Sequence, residues 1–314
     1  MKLLLAGASG FLGSALRVRL AEEGHEVVRL VRREPATATE FRWQPDDHQV
    51  DPAAFAGVDL VVNLAGAGVA DRLWSTSRRE LILSSRVDTT STLATALAGL
   101  AAAGEDQQTP ALIQASGISR YGTTWTDQPC DEDSPAGTDY LSQVVVQWEG
   151  AAQPALDAGV RVVFLRTSPV MDTSGGPLAL MRLPWGAGLG ARLGSGRQRM
   201  PMISLHDYLR VVLWTARNNA TNGAYNLTIP TPGTNDEFTR ELAAAMHRPT
   251  VLRAPALVIR AALGELAEQL LGDMFVLPRR LVAEGFLFHG TDVASTVRLA
   301  LGQSRGPATY TPHP

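Results

Sequence analysis

Short apolar segments alternate with amphipathic ones over the first half of the chain. The run at 2–6 (KLLLA) predicts a buried strand, and Leu12, Leu16 and Leu20 then recur at the spacing of one helix face. Further strands are predicted at 25–31, 58–64, 111–115 and 161–166, with helices at 75–100 and 141–158. Strands that alternate with helices in this way favour an α/β fold with a doubly wound parallel sheet.

The pattern changes after about residue 170, where glycines crowd at 186–190 and 194–196. We therefore predict a sheet domain at 1–170 and a smaller C-terminal α/β lobe at 171–314. The lobe is expected to return part of its chain to the sheet and to close over a substrate site on the first domain.

Composition excludes several classes of protein. The 314 residues carry a formal net charge of −3, which provides no basic surface for nucleic acid. No apolar run reaches the ~18–20 residues of a membrane span, and glycines interrupt the first apolar run too early for a signal peptide. These observations predict a cytoplasmic protein with a small-molecule substrate and neither nucleic acid nor membrane as a partner. The oligomeric state stays open, with a homodimer as one alternative.

Metal ligands show no recognisable spacing. The single cysteine, Cys130, rules out an internal disulfide and a cysteine-cluster metal site. The six histidines lie far apart without the spacing of a zinc site. No metal is predicted, although ligands scattered along the chain remain an alternative.

Glycines recur where the first predicted strand meets the first predicted helix. In the G-x-x-G-x-x-G pattern, Gly7 makes the tight turn, Gly10 lets the backbone approach a pyrophosphate, and Gly13 permits close packing of helix on strand. Amides at the helix N-terminus then bind the anion. The pattern at this junction predicts a dinucleotide site in a Rossmann-type sheet, against the alternative of a glycine-rich turn without a ligand. The residues expected to contact the cofactor in this loop are Gly7, Ser9, Gly10, Phe11, Leu12 and Gly13.

Two arginines follow about 20 residues further on, where NAD-binding chains carry an acidic residue. A carboxylate there would repel a 2′-phosphate, whereas a guanidinium binds one with charge-assisted hydrogen bonds. Arg32 therefore favours NADP over NAD, with Arg32 and Arg33 as solvated loop residues being the alternative. Small residues in Asn63–Gly68, among them Gly66, are expected at the carboxyl edge of the sheet. Small side chains there would let the adenosine half of a dinucleotide pass closely, and the alternative is that tight packing of the chain itself requires them.

Several motifs occur together in this one chain. They include the glycine loop, Asn63–Ala67, Ser85-Arg86 and Trp148-Glu149. Further matches lie at 131–135, 193–198, 225–228, 234–239 and 276–280. The combination resembles the extended short-chain dehydrogenase/reductase superfamily, and within it the NADP-binding epimerase family proteins, which are also labelled nucleoside-diphosphate-sugar epimerases or cell-division-inhibitor-like. The resemblance extends over about residues 1–300 and includes the C-terminal module typical of that family.

The resemblance implies which residues bind the cofactor. Besides the glycine loop, they are Arg32, Leu64, Ala65, Arg86 and Val170. It also implies that the C-terminal module binds the substrate.

Catalysis in this superfamily uses a serine or threonine together with a Tyr-x-x-x-Lys pair. The lysine lowers the pKa of the tyrosine from its ordinary value of ~10, so that proton transfer becomes useful near neutral pH. Tyr140 lies at the start of a predicted helix, but Val144 stands where the lysine belongs, and the only lysine in the chain is Lys2. Ser116, directly after a predicted strand, is the candidate for the serine that binds a carbonyl. The predicted catalytic residues are therefore Ser116, which is better placed than Ser119, and Tyr140, without the lysine. The alternative for Tyr140 is a sporadic substitution, because the resemblance implies an apolar aromatic residue at that position.

Two functions are compatible with these residues. One is an NADP(H)-dependent oxidoreductase or epimerase that acts on a carbonyl or sugar-like substrate of unknown identity. The alternative is a non-catalytic NADP(H)-binding protein that reports redox state to a partner, with a link to cell division suggested by the family labels. The missing lysine favours the alternative, whereas a polar pocket beside the nicotinamide would favour the enzyme.

Other polar residues have simpler interpretations. Tyr121 is either a second hydroxyl near the sheet edge or a packing residue. Glu132 and its acidic neighbours are interpreted as a solvated loop. A glycine-flanked polar group either binds an anionic substrate or forms ordinary surface, and it comprises Arg192, Arg197, Gln198 and Arg199.

Overall fold

Strands and helices alternate through most of the chain. The computed structural model describes residues 1–104, 109–123, 127–250 and 252–303. Its strands are β1 Lys2–Ala6, β2 Glu26–Val31, β3 Glu40–Gln44, β4 Gln49–Val50, β5 Leu60–Asn63, β6 Ala111–Gly117, β7 Val162–Thr167, β8 Val170–Met171, β9 Ala191–Leu193, β10 Ile203–Ser204, β11 Gly223–Leu227 and β12 Leu252–Ala254. Its helices are α1 Phe11–Glu22, α2 Thr76–Ala103, α3 Tyr140–Gly150, α4 Gln153–Asp157, α5 Gly176–Gly186, α6 Leu205–Arg217, α7 Asn235–Met246, α8 Ala256–Leu263, α9 Glu268–Leu271, α10 Arg279–Ala283 and α11 Val293–Ala300.

The central sheet has its strands in the order β11-β7-β6-β5-β1-β2-β3-β4. β1 pairs in parallel with β2 on one side and with β5 on the other, so the winding direction reverses between β1 and β5. The pairs β2–β3 and β5–β6 are also parallel, and the edge pair β3–β4 is antiparallel. This order confirms the predicted doubly wound Rossmann-type sheet. In such sheets a ligand binds at the carboxyl ends of the strands, at the point of reversal.

Continuous apolar sequence in the central strands corresponds to burial on both faces. Leu3, Leu4 and Leu5 of β1 have no exposed surface, and Val61 and Val62 of β5 have none either. Parallel sheets with both faces covered require such runs, in contrast to the alternating pattern of a half-exposed strand. Burial of these side chains fixes the sheet from which the glycine loop extends.

Packing divides the chain into two units. The first comprises residues 1–116, 143–165 and 212–224, and the second comprises 117–142, 166–211 and 225–314. An apolar cluster that includes Leu93 and Leu97 of α2 forms the core of the first unit, whereas Trp185 and Phe238 contribute to a core in the second. The chain enters each unit more than once, whereas the sequence predicts a single boundary at residue 170. Among the helices described, none is long and apolar enough to cross a membrane.

Candidate functional site

Two glycines of the loop after β1 are required by the fold itself. Gly7 has a φ of +79°, and a Cβ on it would lie 2.7 Å from the carbonyl carbon and oxygen of Leu64. A Cβ on Gly13 would overlap the carbonyl oxygen of Gly7 and lie 2.9 Å from the Cα of Ala8. Both distances are shorter than real Cβ contacts allow. Only glycine at position 7 lets the loop after β5 approach the glycine loop this closely, and only glycine at position 13 lets α1 pack against it.

Gly10 differs, because nothing in the chain itself excludes a side chain there. Its backbone is extended (φ −74°, ψ 174°), and a Cβ would have the Gly7 carbonyl oxygen, at 3.5 Å, as its nearest neighbour. Gly10 and Ser9 are exposed, and α1 begins at Phe11 without a side-chain cap on its first amides. Uncapped amides at an accessible helix N-terminus suit an anion, and the bare Cα of Gly10 leaves room for one. The loop therefore fits a dinucleotide pyrophosphate.

The two arginines after β2 have different surroundings. Arg33 binds the carboxylate of Glu40 through two nitrogens, at 2.9 and 2.6 Å, and Arg29 approaches the same carboxylate at 3.0 Å. The hydrogen bonds from Arg33, supported by the Ala36 amide, lower the pKa of Glu40 to about 2. Arg32 is exposed, and it forms no hydrogen bond or ion pair with any residue that the structure describes. Arg33 thus has a structural partner, and the Arg32 guanidinium is available for a ligand.

The loop after β5 lies against the glycine loop. The Leu64 amide donates to the Ala6 carbonyl at 3.0 Å, and the Asn63 side chain accepts from the Ala65 amide at 3.1 Å. Asn63 is fully buried and also donates to the side chain of Gln114 on β6, at 3.0 Å. These bonds hold Leu64 and Ala65 at the carboxyl edge of the sheet, beside Gly7, and Gly66 follows them in the same loop.

Arg86 projects from α2 toward this same loop. A Cβ on Gly66 would lie 3.4 Å from the Arg86 Cγ, so the two residues are in close contact. Arg86 is buried, donates to the Ile82 carbonyl at 2.8 Å, and places its guanidinium 4.9 Å from the centre of the Trp148 ring. The structure thus brings the Arg86 cation to the loop after β5, and its contact with the cofactor stays a prediction.

Ser116 has an acidic partner that the sequence did not indicate. Because Asn63 of β5 is in register with Gln114 of β6, Ser116 lies just beyond that level, at the carboxyl edge. Its hydroxyl donates to Glu149 Oε1 of α3 at 2.6 Å, and the serine is 5% exposed. A hydroxyl that donates to a carboxylate can still accept a hydrogen bond from a further donor through its lone pairs. Trp148-Glu149 contributed to the family resemblance, but no sequence signal linked Glu149 to Ser116, 33 residues away.

Tyr140 and Val170 belong to the second unit, and their predicted roles stay predictions. Tyr140 is the first residue of α3 and is half-buried, while Val170 is buried in β8. Val144, one helical turn after Tyr140, is 2% exposed. Lys2 pairs with Glu26 at 3.3 Å where β1 begins, at the end of the strand remote from the glycine loop.

A buried network in the second unit corrects the interpretation of Glu132 as solvated. Glu132 is 8% exposed and accepts hydrogen bonds from the backbone amides of Asn226 (2.9 Å) and Arg280 (3.3 Å). Desolvation raises its pKa. Tyr121 donates to the Asn226 side chain at 2.7 Å and accepts from Arg166 at 2.9 Å, and burial raises the pKa of Tyr121 to about 12. Of the two alternatives for Tyr121, these contacts favour packing.

The glycine-flanked polar group is largely bound within the second unit. The Arg199 Nε donates to both carboxylate oxygens of Asp273, at 2.9 and 3.0 Å, and its guanidinium lies 4.4 Å from the Phe275 ring centre. Arg192 pairs with Asp236 at 3.2 Å. Gln198 is buried and donates to the Leu193 carbonyl at 3.0 Å, whereas Arg197 is exposed. These contacts favour a structural role for Arg199, Arg192 and Gln198.

A doubly wound sheet with an uncapped glycine loop at its point of reversal defines a dinucleotide-binding α/β protein. The model of the NAD dependent epimerase/dehydratase family matches residues 3–228, and the chain belongs to that family. Residues 254–300 match a second model, a domain of unknown function (DUF1731).

Similar proteins correspond to almost the whole chain. An epimerase family protein of Mycobacterium bovis is 41% identical over 309 residues, which are 98% of this chain and 97% of the relative. The human epimerase family protein SDR39U1 (isoform 2), solved with NADPH, is 30% identical, covers 97% of this chain and 100% of its own, and has a TM-score of 0.85. UDP-glucose 4-epimerase of Thermus thermophilus, solved with NAD, shares the fold at a TM-score of 0.70, with 18% identity over 95% of this chain and 98% of its own. The predicted family is confirmed, and the prediction of NADP agrees with the NADPH bound by the human protein.

Proposed function

We propose that this chain binds NADP(H) and uses it to oxidise or reduce a carbonyl or sugar-like substrate. The observation that carries the proposal is that two neighbouring arginines have different partners. Arg33 is bound to Glu40, and Arg32, directly after β2, has no partner among the described residues. In this fold the residue after the second strand meets the ribose, so Arg32 would bind the 2′-phosphate that distinguishes NADP from NAD.

The rest of the site supports the same cofactor. The α1 N-terminus and Gly10 would hold the pyrophosphate, and the loop Leu64–Gly66 would border the adenosine half. When bound, the nicotinamide donates or accepts a hydride. The human relative at 30% identity was solved with NADPH, which agrees with this assignment.

Ser116 and Glu149 would handle the proton. With Glu149 ionised, the serine hydroxyl donates to the carboxylate and can accept a hydrogen bond from a substrate alcohol, as oxidation requires. With Glu149 protonated, the direction reverses, and the hydroxyl can donate to a carbonyl oxygen. General acid–base assistance of this kind contributes typically ~10²–10⁴-fold to a rate. Tyr140 is the second candidate for this role, without a lysine beside it to lower its pKa.

Titration calorimetry with NADPH and NADH tests the cofactor assignment. Because hydrogen bonds to charged groups contribute about 1.5–3 kcal/mol, Arg32→Ala should weaken NADPH binding roughly 10- to 100-fold. NADH affinity should be unchanged. Arg197→Ala removes the same charge from an exposed position in the second unit and is the matched control. Equal affinity of the wild-type chain for NADH and NADPH, or unchanged NADPH binding by Arg32→Ala, would refute the assignment.

A second candidate function is supported by the buried Val144 and by the Lys2–Glu26 ion pair. Neither position supplies a lysine to Tyr140, which favours a non-catalytic protein that reports the NADP(H) redox state. NADPH consumption with a panel of aldehydes, ketones and oxidised sugars distinguishes the two functions. Sustained turnover supports the enzyme. Tight NADPH binding without turnover on any substrate supports the sensor.

A further inference from the structure

We propose that His206 and His289 form a binding site for a divalent transition-metal ion that prefers imidazole ligands, such as Zn²⁺. The Nε2 atom of His206 lies 3.0 Å from the Nδ1 atom of His289. Zinc binds histidine nitrogen at ~2.0–2.1 Å, so two nitrogens on one ion are separated by roughly 2.9–3.4 Å. The two imidazoles already have the separation that chelation requires.

Asp207 holds the two histidines together. It follows His206 in the first turn of α6, and its buried carboxylate accepts the backbone amides of His289 (3.0 Å) and Gly290 (2.7 Å). Arg210 donates to the same carboxylate at 2.8 Å. The ligand atoms of His206, Asp207 and His289 all lie within 4.8 Å of one another. Because the Asp207 oxygens already have these donors, we assign it the positioning role and assign metal binding to the imidazoles.

The state of the two rings is compatible with binding. A metal-binding imidazole offers the lone pair of an unprotonated ring nitrogen, and the structure brings one ring nitrogen of each histidine together. The ring contact is 4.8 Å between centroids at an interplanar angle of 26°. Metal binding would place the remaining protons on Nδ1 of His206 and Nε2 of His289. His206 is exposed, so water can complete the coordination. The charges of Asp207 and Arg210 offset each other, so the imidazoles alone would supply the affinity.

This site belongs wholly to the second unit and contains no residue of the glycine loop. It therefore goes beyond the proposed NADP(H) function and can be tested without a substrate or nucleotide. The ligands are 83 residues apart in sequence, which is why their spacing gave no zinc signature.

The test is a titration of the metal-free full-length protein with ZnCl₂, followed by calorimetry. His206→Gln and His289→Asn keep an amide near each ligating nitrogen and remove metal affinity. His247→Asn is the matched control, because His247 is exposed and left-handed (φ 54°), a conformation that asparagine adopts readily. Cys130→Ser controls for thiol binding. We expect one saturable Zn²⁺ site in the wild type and in both controls. The Zn²⁺ affinity should be at least tenfold weaker in each ligand variant.

Thermal unfolding provides a second readout, because an ion that binds only the folded chain raises Tm. Zn²⁺ should raise the Tm of the wild type and both controls, and of neither ligand variant. Circular dichroism in the absence of metal verifies that each variant is folded. The proposal is overturned if the wild type takes up no Zn²⁺ saturably. It is also overturned if either ligand variant binds within twofold of the wild type, since chelation needs both rings.

Discussion

Replacing Gly10 with alanine separates cofactor binding from folding. The backbone of Gly10 (φ −74°, ψ 174°) is one that alanine adopts, and the added methyl would meet only the Gly7 carbonyl oxygen, at 3.5 Å. Alanine is a poorer N-cap than glycine by about 0.5–1 kcal/mol. It also restricts the unfolded chain, which stabilises the fold by about 0.4–1 kcal/mol. The two effects nearly cancel, so the free energy of unfolding should change by less than about 1 kcal/mol.

The same methyl should strongly weaken NADPH binding. Phosphate oxygens must come within about 2.9 Å of backbone amides to accept their hydrogen bonds, and a methyl at Gly10 would occupy part of that approach. Each lost hydrogen bond to a charged group costs about 1.5–3 kcal/mol. Gly10→Ala should therefore raise the Kd for NADPH roughly 10- to 100-fold or more.

Calorimetric titration with NADPH and urea unfolding measure both effects. Gly99→Ala is the control, since Gly99 is an exposed residue within α2 whose Cβ would meet nothing within 4 Å. It should bind NADPH like the wild type and unfold at slightly higher urea. Gly13→Ala, whose Cβ overlaps the Gly7 carbonyl, should lose most of its folding stability. The reasoning fails if Gly10→Ala binds NADPH within twofold of the wild type, or if it is as unstable as Gly13→Ala.

Two further predictions concern acid stability and catalysis. Glu40 has a pKa of about 2 in the folded chain instead of 4.5, so its contribution to stability is present above pH ~4.5 and is lost as the pH falls toward 2. Arg33→Ala removes the main partner of Glu40. The Tm of this variant should therefore fall less between pH 5 and pH 3 than the Tm of the wild type, and an equal fall in Tm would contradict the pairing. In an NADPH-consumption assay with a carbonyl panel, Ser116→Ala should lower turnover tenfold or more, and Tyr140→Phe only several-fold, both with unchanged NADPH affinity. A fast wild-type enzyme that Tyr140→Phe abolishes at every pH would identify Tyr140 as the essential acid.

The sequence predicted the strands that are buried on both faces and missed those at one edge. β1 and β5 are continuous apolar runs, which local pattern reading detects. The edge strands β3 (EFRWQ) and β4 lie beyond β2 and were not predicted. Polar and apolar residues alternate in β3, which is the local pattern of a half-exposed strand, but only five residues carry it and loop-like Pro- and Asp-rich sequence follows. β4 has only two residues, so its pairing with β3 defines it and local propensity does not.

The candidate site follows the same distinction between local and distant information. The glycine loop could be predicted because turn, phosphate approach and helix start lie within seven consecutive residues. The sequence could not separate Arg32 from Arg33, because the residue that does so, Glu40, begins the missed strand β3. Burial of Glu132 was equally hidden, since its partners Asn226 and Arg280 lie about 90 and 150 residues further along.

The absence of a lysine beside Tyr140 also has a structural counterpart. Position 144 is 2% exposed and is filled by valine, so an ammonium there would need a buried partner or would cost several kcal/mol in lost hydration. The chain is therefore not one substitution away from a Tyr-x-x-x-Lys pair, and any proton transfer must use groups already in place. Ser116 and Glu149, joined at 2.6 Å at the carboxyl edge of the sheet, meet that requirement. Ser116→Ala and Glu149→Gln consequently distinguish the two proposed functions, because an enzyme would lose turnover in each variant, whereas a sensor would bind NADPH and show no turnover even in the wild type.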